Sequence, residues 1–323
     1  MLLSMSSLPS SLLLRRIVVS LSSLISVIWL AKSGFNTLGA VNLWFSNKLA
    51  VSTTQAFNSI CTEKRSNNDH KAVFIDDFND DHLNSLYWTF TDGPHHGQYR
   101  EALGVRSNVY IEDGALVLRS LRNKTEYDGK IYQFTSGAVT TRDKVTWKSG
   151  IACVVAKLPG QNENSDGIWP AHWMMPNKKS CWPDHGEIDI MEMVNGDGEY
   201  HATYHWNRFF PENSCQRSRG NTLIGDSVKV ANWYNEWHEY AVKWDGSSYL
   251  TFYVDGKIVA NVTSSSTDDK HNSHAQFSGE NFYLILNTAL GWSENWNVTR
   301  PVNNDTIFPV YHRIDKVTVL QSE

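Results

Sequence analysis

From residue 70 onward the chain is built of short apolar runs, many alternating with period two, separated by clusters of Gly, Asn, Asp, Ser and Pro. Val109-Tyr110-Ile111 is followed by Glu112-Asp113-Gly114 and then by Ala115-Leu116-Val117-Leu118. Tyr249-Leu250-Thr251-Phe252-Tyr253-Val254 is followed by Asp255-Gly256 and then by Lys257-Ile258-Val259-Ala260. An Asp-Gly pair between two such runs supplies the positive-φ positions of a tight turn, so both stretches predict β-hairpins. No long amphipathic helical pattern interrupts the strands after residue 70. The expectation is an all-β domain over residues 72–323, made of two antiparallel sheets packed face to face.

One run breaks the alternation. Glu187-Ile188-Asp189-Ile190-Met191-Glu192 sets three carboxylates within six residues of β-favouring apolar sequence. In a regular strand residues 187 and 189 share a face and 192 points the other way, into the core. A β-bulge between Asp189 and Glu192 adds one residue, resets the alternation and returns all three acids to one face. Carboxyls crowded and partly desolvated in this way have their pKa values pushed apart, so one stays protonated while a neighbour ionises. Glycoside hydrolysis needs that division of labour.

The acid run is preceded by Gly167-Ile168-Trp169-Pro170-Ala171-His172-Trp173 and followed by His201-Ala202-Thr203-Tyr204-His205. Together these segments resemble glycoside hydrolase family 16, and the extra residue between Asp189 and Glu192 resembles its laminarinase-type branch. Further echoes run from Val73-Phe74-Ile75-Asp76-Asp77-Phe78 through Ser136-Gly137 and Lys157-Leu158-Pro159 to Leu286-Asn287-Thr288-Ala289 and Arg313-Ile314-Asp315-Lys316-Val317. The resemblance implies a jelly-roll β-sandwich with a concave glucan cleft and a retaining endo-β-1,3-glucanase, with mixed β-1,3/1,4 glucan as a further substrate. It implies Glu187 as nucleophile, Glu192 as acid/base, Asp189 between them and His205 close to the acid/base. A histidine satisfied structurally beside a strand is an equally good reading of His205. The resemblance also implies a structural calcium held by Asp77, the Gly114 carbonyl and Asp315, although Asp77 stands where relatives carry the longer Glu. Ile151-Ala152-Cys153-Val154-Val155 is a second departure, replacing charged residues of relatives, and is expected to alter a distal sugar subsite.

Thirteen tryptophans in 323 residues exceed what a strand core needs. An indole buries the apolar C–H face of a glucose ring and leaves the hydroxyl rim to polar groups. Trp169 and Trp173 are four apart, so a strand sets them on one face with Ala171 between them, and they match the family's cleft wall, with a core role for one of the two the competing reading. Trp182, Trp292 and Trp296 are further platform candidates, with core or loop packing the competing reading.

The remaining composition narrows the partners. A net charge of −5 without a basic run or a phosphate-cradling Gly motif argues against nucleic acid and suits a neutral polysaccharide. A monomer is expected, and no cofactor is expected for the chemistry. His201 and His205 lack an HExxH or CxxC context, which argues against catalytic zinc. Arg15-Arg16, the apolar stretch Ile17 to Leu30 and Ala31-Lys32-Ser33 read residues 1–33 as a secretory signal. A signal-anchor through 17–31, with the enzyme outside the membrane, is the alternative. Residues 34–71 read as a low-order linker. Cys181 and Cys215 are a candidate disulfide bracing the cleft wall, Cys153 a small buried apolar residue, and Cys61 a free or lost linker thiol. Asn123, Asn261, Asn297 and Asn304 open sequons permissive for glycosylation. Two other functions stay open beside the hydrolase: a glucan-binding recognition protein, against which the intact acids speak, and a cell-wall transglycosylase.

Overall fold

The structure, a computed structural model, describes residues 58–61, 70–94, 101–161, 163–209, 221–291 and 299–322. Fifteen strands build its two main sheets. The first seven are β1 (His70–Asp76), β2 (Thr89–Phe90), β3 (Val109–Glu112), β4 (Ala115–Ser120), β5 (Ala138–Thr140), β6 (Gly150–Lys157) and β7 (Ile168–Pro176). They are followed by β8 (Glu187–Glu192), β9 (Glu199–Asn207), β10 (Asn221–Lys229) and β11 (His238–Trp244). The last four are β12 (Tyr249–Val254), β13 (Lys257–Thr263), β14 (Phe282–Leu290) and β15 (Val310–Ser322). An eight-stranded sheet runs β13-β12-β11-β6-β15-β4-β3, with β1 also on β15, and a seven-stranded sheet runs β10-β9-β8-β7-β14-β5-β2. Every pairing in these two sheets is antiparallel. The expected β-sandwich is found.

Both predicted hairpins form where the Asp-Gly pairs stand. Asp113 and Gly114 take φ of 53° and 73°, and Asp255 and Gly256 take 50° and 76°, the left-handed pair that a two-residue hairpin turn requires. The sheets close on one apolar core. The eight-stranded sheet contributes Leu116, Leu118, Ala152, Val154, Val242, Phe252, Ile314 and Val317. From the seven-stranded sheet come Met174, Ile188, Ile190, Met191, Tyr200, Ala202, Tyr204, Leu284 and Leu286. Burial of these side chains is the main favourable term, at about 25 cal/mol per Å² of apolar surface.

The outer face of the eight-stranded sheet departs from the reading of residues 34–71 as a linker. Residues 58–61 lie against it as a strap. Cys61 forms a disulfide with Cys153 of β6, so it is neither free nor idle, and Cys153 is a covalent anchor as well as a buried side chain. Ile60 packs with Ile151, Cys153, Ala241 and Leu320. The Ile60 amide donates to Glu239 Oε1 at 2.9 Å, and Ser59 Oγ donates to the second oxygen of the same carboxylate. Burial raises the Glu239 pKa, and these two donors oppose the rise. The approach is close enough that a Cβ at Gly256 would lie 2.0 Å from the Asn58 carbonyl oxygen. The apolar run Ile151–Val155 therefore lies in the sheet that does not carry the acid run, and Ile151 and Cys153 cover the strap. Its expected role in a sugar subsite is corrected.

A disulfide restricts the unfolded chain, and one spanning 92 residues contributes about 2–4 kcal/mol. The double variant Cys61→Ser, Cys153→Ser is expected to melt about 5–15 °C lower in calorimetry. Its activity at 25 °C should stay within twofold of wild type, because the strap lies off the acid-bearing face. An unchanged melting temperature would mean that the strap adds no stability.

Candidate active site

The acids are aligned by the bulge expected from their spacing. On one side of β8, Trp173 pairs with Asp189 and His172 with Met191, so Ile190 has no partner on β7. On the other side Glu187 pairs with His205, Asp189 with Thr203 and Glu192 with His201. Residues 201, 203 and 205 share a face of β9, and the extra residue in β8 brings Glu192 back to that face. Ile190 and Met191, adjacent in sequence, both enter the core and are fully buried. Glu187 and Glu192 remain partly open to solvent while Asp189 is buried between them.

Indole N–H groups fix the two glutamates. Trp169 Nε1 donates to Glu192 Oε1 at 3.0 Å, and Trp182 Nε1 donates to Glu187 Oε2. Trp169 is 4% exposed and packs with Val194 and Ala289, so it holds Glu192 through its edge. Trp182 is 47% exposed and leans on the His205 ring at 5.7 Å, leaving an indole face toward solvent. Trp173 is half-buried, and its Nε1 donates to Asn287 Oδ1 at 2.7 Å. His205, expected beside Glu192, places Nε2 3.1 Å from Asp189 Oδ2, because its cross-strand partner is Glu187. Its charge still acts on Glu192. Trp292 and Trp296 lie outside the described residues. Cys181 is disulfide-bonded, and its expected partner Cys215 also lies outside them.

In the sequence Asn287 reads only as part of a family echo and His201 only as a rejected zinc ligand, so neither is assigned to the site. Asn287 is 7% exposed in the middle of β14, whose nine residues are all buried. A lone amide in such a run was the available signal, since a buried polar group has to find a partner. His201 faces the cleft because it pairs with Glu192 through the bulge, a register that sequence spacing leaves open.

The profile of Glycosyl hydrolases family 16 matches residues 101–293. This chain belongs to that family. It is 30% identical over 271 residues to glucan endo-1,3-beta-glucosidase A1 of Niallia circulans, covering 78% of this chain but 38% of that protein. It is 29% identical over 217 residues to a beta-glucanase of Rhodothermus marinus, covering 66% of this chain and 70% of the other. Its fold superposes on the laminarinase catalytic domain of Thermotoga maritima with a TM-score of 0.67 at 26% identity, over 79% of this chain and 99% of that one. The jelly-roll architecture expected from the sequence is thereby shared with known members.

In this family 16 site the carboxyls hold fewer than three charges at neutral pH. Burial raises Glu187 to about 8, with the Asp189 charge adding and His205 opposing. Burial likewise raises Asp189 to about 7, against the hydrogen bond it shares with Glu187. Glu192 lies well above the usual carboxylate range, again through burial first and then through Asp189. Glu187 and Asp189 behave as one dyad that retains a proton near neutrality. The Trp182 N–H favours charge on Glu187, whereas the His205 ring 3.1 Å from Asp189 and the order of the two pKa values favour the proton on Glu187. Glu187, Asp189 and His205 each bring a donor atom within 4.8 Å of the others, so a cation seated there would compete for the charge on Glu187.

The implied calcium ligands sit at the far side of the fold from this dyad's strand, on β15 and in the turns that flank β1 and β3. Burial raises the Asp315 carboxyl and the Asp77 charge raises it further, with Lys316 and Lys157 opposing. Asp77 is close enough to Asp315 for its charge to act there, and carboxylate oxygens are the ligand type a hard cation takes.

Asp189 changes from its ordinary 3.8 to about 7 on folding, so protonation stabilises the fold fully below 3.8 and that stability is lost as pH rises through about 7. Asp189→Asn removes the ionisation. The melting temperature of the variant relative to wild type should therefore climb between pH 4 and pH 8, by about 2–4 °C per kcal/mol relieved. A difference that stays flat across this range would contradict the raised pKa.

Proposed function

We propose that the chain is a secreted, retaining endo-glycosidase that hydrolyses β-1,3 and mixed β-1,3/1,4 glucans by double displacement. The bulged strand carries this reading, because it sets a charge-bearing dyad and a protonated Glu192 on one cleft face. In the first step the Glu187 carboxylate attacks the anomeric carbon, the bond to the leaving oxygen breaks, and Glu192 gives that oxygen its proton. In the second, water attacks the same carbon, Glu192 takes the water proton, and Glu187 is released. For the attack the shared proton passes to Asp189, which leaves Glu187 charged, while Trp169 and Trp182 hold the two glutamates in place. Trp173 and Trp182 offer the indole surface for the sugar faces. The names carried by the Niallia circulans, Rhodothermus marinus and Thermotoga maritima proteins support the linkage.

The disulfide supports an oxidising, extracellular compartment. Among the described residues no helix is long and apolar enough to cross a membrane, and residues 17–31 lie outside them. The proposal includes cleavage of the leader and action as a monomer. N-terminal sequencing of protein recovered from the medium checks the first, and an intact leader would favour the anchored form. A calcium held by Asp77, the Gly114 carbonyl and Asp315 would brace the fold and take no part in the chemistry. It should then raise the melting temperature without changing kcat.

Glu187→Gln removes the attacking charge and keeps the shape. Turnover of laminarin should fall by about 10⁴-fold or more while affinity for laminarin oligosaccharides stays within about threefold. Near-normal turnover in that variant would overturn the mechanism. In wild type, rising reducing ends with short β-1,3 oligomers are the expected products. Products longer than the starting oligosaccharides would instead indicate a transglycosylase, and binding without products a recognition protein.

A further inference from the structure

We propose that Tyr200 is the positioning residue of the catalytic bulge. Ile190 is unpaired on both sides of β8: the β7 register passes from Asp189 to Met191, and the β9 register from Asp189 to Glu192. A carbonyl that has left the ladder inside an apolar core must find a donor, since an unsatisfied buried acceptor is costly. The Ile190 carbonyl accepts the Tyr200 hydroxyl at 2.7 Å, with both groups buried. Tyr200 stands on β9 one residue before His201, the cross-strand partner of Glu192. Its ring is fully buried and packs on Tyr240 at 5.5 Å, and Tyr240 packs in turn on His172 of β7 at 5.6 Å. Burial raises the phenol pKa, so the hydroxyl stays a donor at every working pH. Tyr200 thus spans from the strand that faces Glu192 to the one peptide that sets its direction. Without this bond the bulge loses a contact that favours it over a regular ladder, in which Glu192 points into the core, and the bulge peptide is free to rotate.

Tyr204 supplies the matched control. It is a buried tyrosine on the same face of the same strand, but its hydroxyl donates to the Gln276 carbonyl, away from the bulge. Tyr200→Phe and Tyr204→Phe each delete one buried O–H bonded to a carbonyl, so a general loss of packing or stability should appear in both. The experiment follows kcat and KM on laminarin, normalised to the folded fraction from near-UV circular dichroism, together with amide hydrogen exchange over residues 190–193. For Tyr200→Phe we expect kcat to fall tenfold or more with KM within twofold, because Trp173 and Trp182 are untouched. Exchange at the Met193 amide, which donates to the Pro170 carbonyl, should quicken at least tenfold. Tyr204→Phe should keep kcat within twofold and leave that exchange unchanged. Equal effects in the two variants, or wild-type exchange at residues 190–193 in Tyr200→Phe, would overturn the inference. The catalytic part rests on the β-glucan hydrolase reading, whereas the exchange measurement does not. Absence of glucan turnover in wild type would overturn that reading and leave the bulge to be decided by exchange alone.

Discussion

One residue too many in β8 is the constraint on which the site depends. Without it, Glu192 would point into a core built of Ile188, Tyr200, Leu284 and Leu286, and the cleft would hold two acids instead of three. With it, two consecutive apolar side chains enter the core and the acids keep a common face. The irregularity is stabilised from below by the apolar burial of Ile190 and Met191, and from beside by pairing on β7 and β9. The chemistry of the face is thus held in register by the chemistry of the core.

The same arrangement works against stability at the site itself. Three carboxyls that share a strand face and lose water cannot all ionise, and their raised pKa values record that conflict. The fold tolerates it because the surrounding donors act on different members of the group. The Trp182 indole acts on Glu187, the Trp169 indole on Glu192 and the His205 ring on Asp189. Each neighbour biases where the remaining charge sits, so the environment assigns distinct roles to chemically similar groups.

Much of this was legible in the chain because its signals are local. The Asp-Gly turns, the period-two runs and the misfit of Glu192 to that period lie within a few residues of one another, and all three readings hold. What could not be read depends on contacts distant in sequence. The contact of His205 Nε2 with Asp189 Oδ2 depends on register across a strand pair. Asn287 meets Trp173 from 114 residues away. Cys61 resembled a linker thiol because its partner is 92 residues on, and no periodicity encodes such a meeting. The apolar run Ile151–Val155 stands out in the sequence, but alternation reports that two faces differ without saying which covers what, so its place against the strap emerges only in the fold.

The covalent loop from Cys61 to Cys153 encloses β1 through β5, a third of the strands of the sandwich. A protease that cuts once anywhere inside that loop leaves two fragments still joined through the sulfur bridge, with β1 on β15, β4 on β15 and β5 on β14 as before. The nicked molecule is then a single covalent entity whose pieces cannot diffuse apart. The segment 187–192 lies outside the loop, so damage of this kind spares the strand that bears the acids.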